Sequence, residues 1–133
     1  MPLPRYRSND KVESDLNYFV VFCTKYKRPV LIRGIETRLE ELIKEKAVEL
    51  GVEVKSVDVW FDTVYLSIST PPSDALQHYV NQIKRYTAHT LRLEFPELVS
   101  KLPSLWTRSY FAASEGTVSP ESVDRYLINQ KWQ

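Results

Sequence analysis

The order of two hydrophobic periodicities along the chain is the strongest constraint on its fold. Four segments have the aromatic and β-branched composition of strands, at residues 16–24, 52–61, 63–70 and 105–114. Residues 35–50 instead place apolar side chains at helical spacing and end before Gly51, a suitable residue for a helix C-terminus. A second helical pattern follows the third strand, with Ser73 or Asp74 as the expected N-cap.

The resulting order of elements predicts an α+β fold. Strand, helix, strand, strand, helix and strand follow one another as in the ferredoxin-like βαββαβ antiparallel sheet. An additional C-terminal helix is predicted over residues 119–131, because Ser119 followed by Pro120 is a strong helix-start signal. Residues 1–15 are polar and proline-bearing, and we expect them to form a loose arm of one domain, 1–133.

The composition is that of a soluble globular protein. A formal net charge of +1 neither favours nor excludes a nucleic-acid partner, so a local basic patch would have to provide that signal. Cys23 is the only cysteine, which excludes an internal disulfide and predicts a buried thiol. No apolar run approaches the roughly 20 residues of a membrane span, so we expect a cytoplasmic protein with no membrane partner.

The stretch WFDTVYLSIST alternates apolar and polar residues as a half-buried strand does. Val64, Leu66 and Ile68 are expected to face the helices, while Thr63 and Tyr65 point to the opposite face. Taken alone, this polar face is typical of a solvated sheet surface.

Basic residues interleaved with aromatic ones form a second candidate surface. This combination suits single-stranded nucleic acid, because cations meet the phosphates and rings stack on the bases. A solvated charged face is the alternative interpretation. The candidate DNA-binding residues are Lys25, Tyr26, Lys27 and Arg28 in a loop, Lys84, Arg85 and Arg92 on the second helix, and Arg108 on the fourth strand.

Four segments read together carry a family resemblance: VVFCTKYKRPVL, then VYLSISTPP, then IKRYTAHTLRLEFPEL followed by LWTRSYFAASEG, and finally SPESVDRYLINQ. In this order the chain resembles the small single-tyrosine HUH transposases of the IS-two-hundred type. The resemblance implies a dimer, with sheets merged across the interface, that cuts and rejoins single-stranded DNA at the hairpin ends of an insertion sequence. It also implies a divalent metal, Mg²⁺ or Mn²⁺, and no nucleotide cofactor.

The resemblance assigns roles to individual residues. Tyr126 falls at the nucleophile that forms a 5′-phosphotyrosine, and Gln130, one helical turn later, falls at an additional metal ligand. The residues at the histidine pair of the HUH motif are Thr63 and Tyr65. Neither replaces an imidazole well, so we expect weak metal binding.

The remaining oxygen ligands near this degenerate motif are Asp58 and Asp62. An all-oxygen Mg²⁺ site built from them is one interpretation, and a strand-surface aspartate with a turn aspartate is the other. For Tyr126 the alternative to a nucleophile is an aromatic side chain that docks the last helix.

Three functions follow from the sequence. The first is a transposase that still cleaves DNA with an altered metal site. The second is a catalytically impaired relative that still dimerises and binds DNA. The third, a ferredoxin-like regulatory domain for a small molecule, has little support because the chain has only three glycines and no glycine-rich ligand loop.

Overall fold

Four strands form one antiparallel sheet in the order β2-β3-β1-β4. The structure is a computed structural model that describes residues 15–72, 74–116 and 119–133. Apart from Asp15, the arm expected over residues 1–15 lies outside this described part. The strands are β1 (Leu16–Cys23), β2 (Glu53–Val59), β3 (Thr63–Thr70) and β4 (Phe111–Ser114). This strand order confirms the ferredoxin-like pattern predicted from the sequence.

Four α-helices accompany the sheet, namely α1 (Ile35–Leu50), α2 (Leu76–Glu94), α3 (Glu97–Lys101) and α4 (Pro120–Asn129). The bounds of α1 agree with the sequence prediction. Gly51 ends α1 with a φ of +75°, a left-handed conformation that glycine adopts without steric cost. Ser119 caps α4 as predicted, because its hydroxyl accepts a hydrogen bond from the Ser122 amide at 3.1 Å.

The main core lies between α1, α2 and one face of the sheet. From the sheet it takes the alternate residues of β1 and β3, which include Val20, Phe22, Val64, Leu66 and Ile68. The helices contribute Leu39, Leu42, Ile43, Val80 and Ile83. The prediction that Val64, Leu66 and Ile68 face the helices is therefore confirmed. The alternation directs Thr63 and Tyr65 to the opposite side of the sheet, the second face.

The predicted start of the second helix is wrong. Helix α2 begins at Leu76 with Ala75 at the N-cap, and no side chain caps it. The Asp74 carboxylate instead accepts a hydrogen bond from the Tyr79 hydroxyl, while Ser73 lies outside the described residues. A tyrosine in the first turn of the same helix has therefore taken the carboxylate that the sequence offered as a cap.

Two strand predictions also need correction. Strand β2 ends at Val59, because residues 60–62 form the turn that the Trp60 amide closes on the Thr63 carbonyl at 2.8 Å. Strand β4 covers only Phe111–Ser114, and the preceding residues touch the sheet through one isolated bridge between Thr24 and Trp106. The connection expected before this strand contains the short helix α3.

Helix α4 lies against the second face of the sheet. The Tyr126 ring is 6.1 Å from the Phe111 ring, centroid to centroid, and Phe111 pairs with Val21 in the β1–β4 ladder. Val21 also pairs with Tyr65 on its other side. The C-terminal helix and the degenerate motif therefore belong to the same face.

Candidate functional site

Ser109 joins the two residues predicted at the nucleophile and ligand positions. The Tyr126 hydroxyl donates to the Ser109 carbonyl at 3.2 Å and lies 3.3 Å from the Ser109 Oγ. The Ser109 hydroxyl in turn donates to Gln130 Oε1 at 3.0 Å. Tyr126 lies on α4 and Gln130 directly follows its last residue, so the two side chains, one helical turn apart, meet the same serine.

Burial keeps the Tyr126 phenol protonated. It raises the pKa of Tyr126 above its usual value near 10, and hydrogen bonds from Ser109 and Thr107 only partly oppose this rise. A neutral phenol is a weak nucleophile, so this hydroxyl would need activation to attack a phosphate.

A buried lysine holds the segment that carries Ser109. The Lys84 ammonium is bound to the carbonyls of Thr107 at 2.8 Å and Ser109 at 2.9 Å, and lies 3.4 Å from that of Arg108. Lys84, one of the candidate DNA-binding residues, is only 8% exposed and is engaged in these contacts. Its three donors are used to position the chain next to Tyr126.

This lysine gives the protein a predicted pH dependence. Burial lowers the pKa of Lys84 to about 8, whereas the unfolded chain keeps a value near 10.5. Between these values the unfolded state binds the additional proton, so the free energy of unfolding rises with pH. Relative to Lys84→Met, we expect wild type to gain roughly 2 kcal/mol between about pH 7.5 and 9.5, measured by urea denaturation. If the difference in free energy of unfolding between wild type and Lys84→Met instead narrows as the pH rises, the three carbonyls hold the Lys84 ammonium charged.

The two residues at the expected histidine positions are engaged in other contacts. Thr63 is 1% exposed, donates to Asp62 Oδ1 at 2.8 Å and lies 3.8 Å from the Cys23 thiol. The Tyr65 ring is stacked with Phe19, with centroids 6.3 Å apart. Burial, followed by the charges of Cys23 and nearby aspartates, raises the pKa of Tyr65, so its phenol remains neutral at physiological pH.

The two candidate aspartates also bind other side chains. Asp62 forms an ion pair with Lys27 at 3.4 Å. Asp58 is exposed, accepts from the Trp60 indole nitrogen at 3.0 Å, and pairs directly with Tyr65 across the ladder. Because of the tight turn, the alternation of side chains does not run on unbroken from β3 into β2, and Asp58 lies on the second face.

This donor set does not fit a divalent metal. Across residues 15–72, 74–116 and 119–133, no group of three or more His, Cys, Asp and Glu side chains could hold an ion. A threonine hydroxyl and a protonated phenol are poor substitutes for two imidazoles. The Gln130 amide oxygen is already bound by Ser109.

The basic loop lies against the β2–β3 turn. The Thr24 amide donates to the Asp62 carbonyl at 3.0 Å, and the Leu31 amide donates to the Phe61 carbonyl at 2.9 Å. Tyr26 and Lys27 have φ values of 58° and 50°, an uncommon left-handed conformation for residues other than glycine. The loop thus presents an exposed ring and an exposed Arg28 next to the second face.

The other predicted basic residues are dispersed. Arg85 and Arg108 are exposed, while Arg92 is half-buried and bonded to the Leu102 carbonyl at 3.4 Å.

Sequence reasoning missed Ser109, Phe19 and Trp60. For Ser109 the sequence carried no signal, since its importance comes from Lys84 and α4, which are distant along the chain.

Comparisons with known proteins agree on the class of protein. The ISDra2 transposase TnpA of Deinococcus radiodurans is 27% identical over 117 residues, covering 86% of this chain and 84% of the relative. A crystal structure of a candidate transposase from Deinococcus radiodurans matches with a TM-score of 0.80 and 26% identity, covering 96% of this chain and 98% of that one. The class defined by fold and similarity is that of the DNA transposases.

The particular family follows from the family match. Residues 12–130 match the family described as Transposase IS200 like, and the chain belongs to this family. A REP-associated tyrosine transposase bound to a REP hairpin shares the fold, with a TM-score of 0.58 and 12% identity over 98% of this chain and 76% of that one.

Within the described residues, no helix is long and apolar enough to cross a membrane.

Proposed function

We propose that this chain binds single-stranded, hairpin-forming DNA and that its strand-cleavage centre is impaired. The observation that carries the proposal is the placement of Thr63 and Tyr65 at the expected histidine pair. Thr63 is buried against Asp62 and Cys23, and Tyr65 is stacked on Phe19, so neither is placed to ligate a metal. Impaired cleavage follows from this donor set.

Charge and aromatic surface support the DNA-binding part of the proposal. The strained loop exposes Tyr26 and Arg28, and Lys25 lies over the Tyr26 ring at 5.1 Å. Cations that contact phosphates, next to rings that stack on bases, are the usual means of binding single strands. The relative that was solved with a hairpin supports extending a hairpin ligand to this chain.

Exposed apolar residues near the C-terminus support a homodimer. Ile128 on α4 and Trp132, four residues later, are both largely exposed. Trp132 lies in a short 3-10 turn that follows α4, and exposed apolar side chains of this kind are stabilised when a second surface covers them. We propose that a second copy of the chain supplies that surface and that Tyr126 acts in the site of the partner subunit.

An active transposase is the second candidate, and the arrangement around Ser109 favours it. Tyr126 and Gln130 converge on one serine, and this convergence supports a role for them in one site. In this candidate, the phenol oxygen attacks the backbone phosphorus and the bond to the 3′ oxygen breaks. The products are a 5′-phosphotyrosine and a free 3′-hydroxyl, which takes up a proton.

A covalent-trapping experiment separates the two candidates. The protein is incubated at low salt with labelled single-stranded hairpins from the ends of the element, with Mg²⁺ or Mn²⁺ present. We expect bound hairpin without a covalent adduct on a denaturing gel. Affinity should fall steeply as salt rises, because phosphate contacts dominate binding.

The control is Tyr126→Phe, which removes one oxygen and keeps the ring. An adduct in wild type that disappears in this variant would establish cleavage and contradict the impaired centre. Absence of hairpin binding at low salt would contradict both candidates. Sedimentation of the same samples tests the dimer, and a stable monomer would contradict that part.

A further inference from the structure

An open groove occupies the second face of the sheet beside Tyr65, one of the two expected histidine positions. It has a volume of about 370 Å³, and its lining residues are Phe19, Ser56, Asp58, Trp60, Tyr65, Leu66 and Ser67. Grooves of roughly this size hold small ligands or flat rings. The substitution of Tyr65 for a histidine has therefore placed a large aromatic ring in the wall of this groove.

Three aromatic rings give the groove its character. Phe19 and Tyr65 are stacked with an interplanar angle of 28°, which makes one continuous ring surface. Trp60 is 55% exposed, and its indole nitrogen is held by Asp58 at 3.0 Å. A tryptophan fixed in this way keeps its ring available at little entropic cost on binding.

The charge in the groove selects against a phosphate. Among the described residues that line the groove, Asp58 alone is charged, so a negative group is repelled while a hydrogen-bond donor is attracted. The carboxylate retains acceptor capacity beyond its bond with Trp60. The amino group of cytosine is a donor that aspartate accepts from, whereas thymine has a carbonyl at the same position.

The adjacent basic loop supplies the complementary half of a strand-binding surface. The backbone of residues 24–31 is hydrogen-bonded to the turn that contains Phe61 and Asp62, directly after Trp60. The cations Lys25 and Arg28 therefore belong to a segment that is bonded to the turn next to Trp60. This juxtaposition orients the backbone toward the loop and a base toward the rings.

We infer that the groove is a base-binding site in which an unpaired, amino-bearing nucleobase stacks on Trp60 and Tyr65 and donates to Asp58. The inference rests on the proposed function, since it names a contact made by the same single-stranded DNA. It assigns to Tyr65 a binding role in place of metal ligation. Cytosine is the pyrimidine that fits the Asp58 acceptor.

Short homopolymers of dC and dT test the site, because their bases differ at the position that faces Asp58. We expect wild type to bind the dC strand about tenfold tighter than the dT strand. Trp60→Ala and Tyr65→Ala should each lower affinity for the dC strand by about tenfold, and Tyr65→Phe should retain it. Asp58→Asn should remove the preference for dC. Fluorescence anisotropy at fixed low salt gives all of these affinities.

Val48→Ala is the control. Val48 lies on α1, is 80% exposed and does not line the groove, so its loss should leave dC affinity unchanged. Wild-type affinity in both Trp60→Ala and Tyr65→Ala, with hairpin binding intact, would overturn the base site and leave the proposed function standing. Equal affinity of wild type for dC and dT would overturn the role of Asp58. Wild type that binds neither homopolymer nor hairpin would overturn both proposals.

Discussion

The double variant Thr63→His, Tyr65→His should bind Mn²⁺ far more tightly than wild type. Two imidazoles would then replace a buried hydroxyl and a neutral phenol. We expect an increase in Mn²⁺ affinity of at least about 10- to 100-fold, the range that even an outer partner of a metal ligand contributes. Calorimetric titration measures the affinity, and trapping with hairpin DNA should reveal a covalent adduct at Tyr126.

The single variants are the controls for this result. Thr63→His alone and Tyr65→His alone each supply one imidazole, and we expect neither to reach the affinity of the double variant. The larger side chain at the buried Thr63 position carries a packing cost of about 1–3 kcal/mol, so thermal unfolding is measured alongside. A folded double variant that binds Mn²⁺ no better than wild type would contradict this account of the site.

Phe22→Ala should destabilise the protein more than any substitution on the second face. Phe22 is fully buried, meets Trp106 edge-to-face at 4.8 Å between ring centroids, and lies 5.7 Å from the Lys84 ammonium. Removing the ring leaves a cavity beneath the segment that leads to Ser109. We expect the free energy of unfolding to fall by about 3–5 kcal/mol, measured by urea denaturation.

Phe61→Ala is the matched substitution outside the core. Phe61 lies in the β2–β3 turn and is 51% exposed, so the same change of side chain leaves no closed cavity. Its effect should stay within about 1 kcal/mol. Equal losses in the two variants would show that the core around Trp106 relaxes to fill the space left by Phe22.

The parts of the fold that the sequence predicted well are those with local determinants. Helix α1 combines a continuous apolar stripe with a terminal glycine, and β3 alternates polar and apolar residues from Thr63 to Ser69. Strand β4 was overestimated because Lys84 captures the carbonyls of Thr107 and Ser109, which removes them from a regular ladder. A buried ammonium that is more than twenty residues away along the chain leaves no mark on the local pattern.

The candidate site was predictable to a similar extent. Spacing along α4 indicated that Tyr126 and Gln130 share a face, and the family resemblance supplied their proposed roles. The serine that joins them and the groove beside Tyr65 depend on the packing of α4 and on the break in side-chain alternation between β3 and β2. Neither property can be read from a single segment.

The contacts of Thr63 and Tyr65 have an evolutionary consequence. A single change of Thr63 to histidine would disturb the hydrogen bond to Asp62 and add only one imidazole. A single change of Tyr65 to histidine would remove the stack on Phe19 and likewise add only one imidazole. Each single step is thus a loss without a compensating gain in metal binding. A lineage with these contacts would gain a histidine pair only through two simultaneous changes.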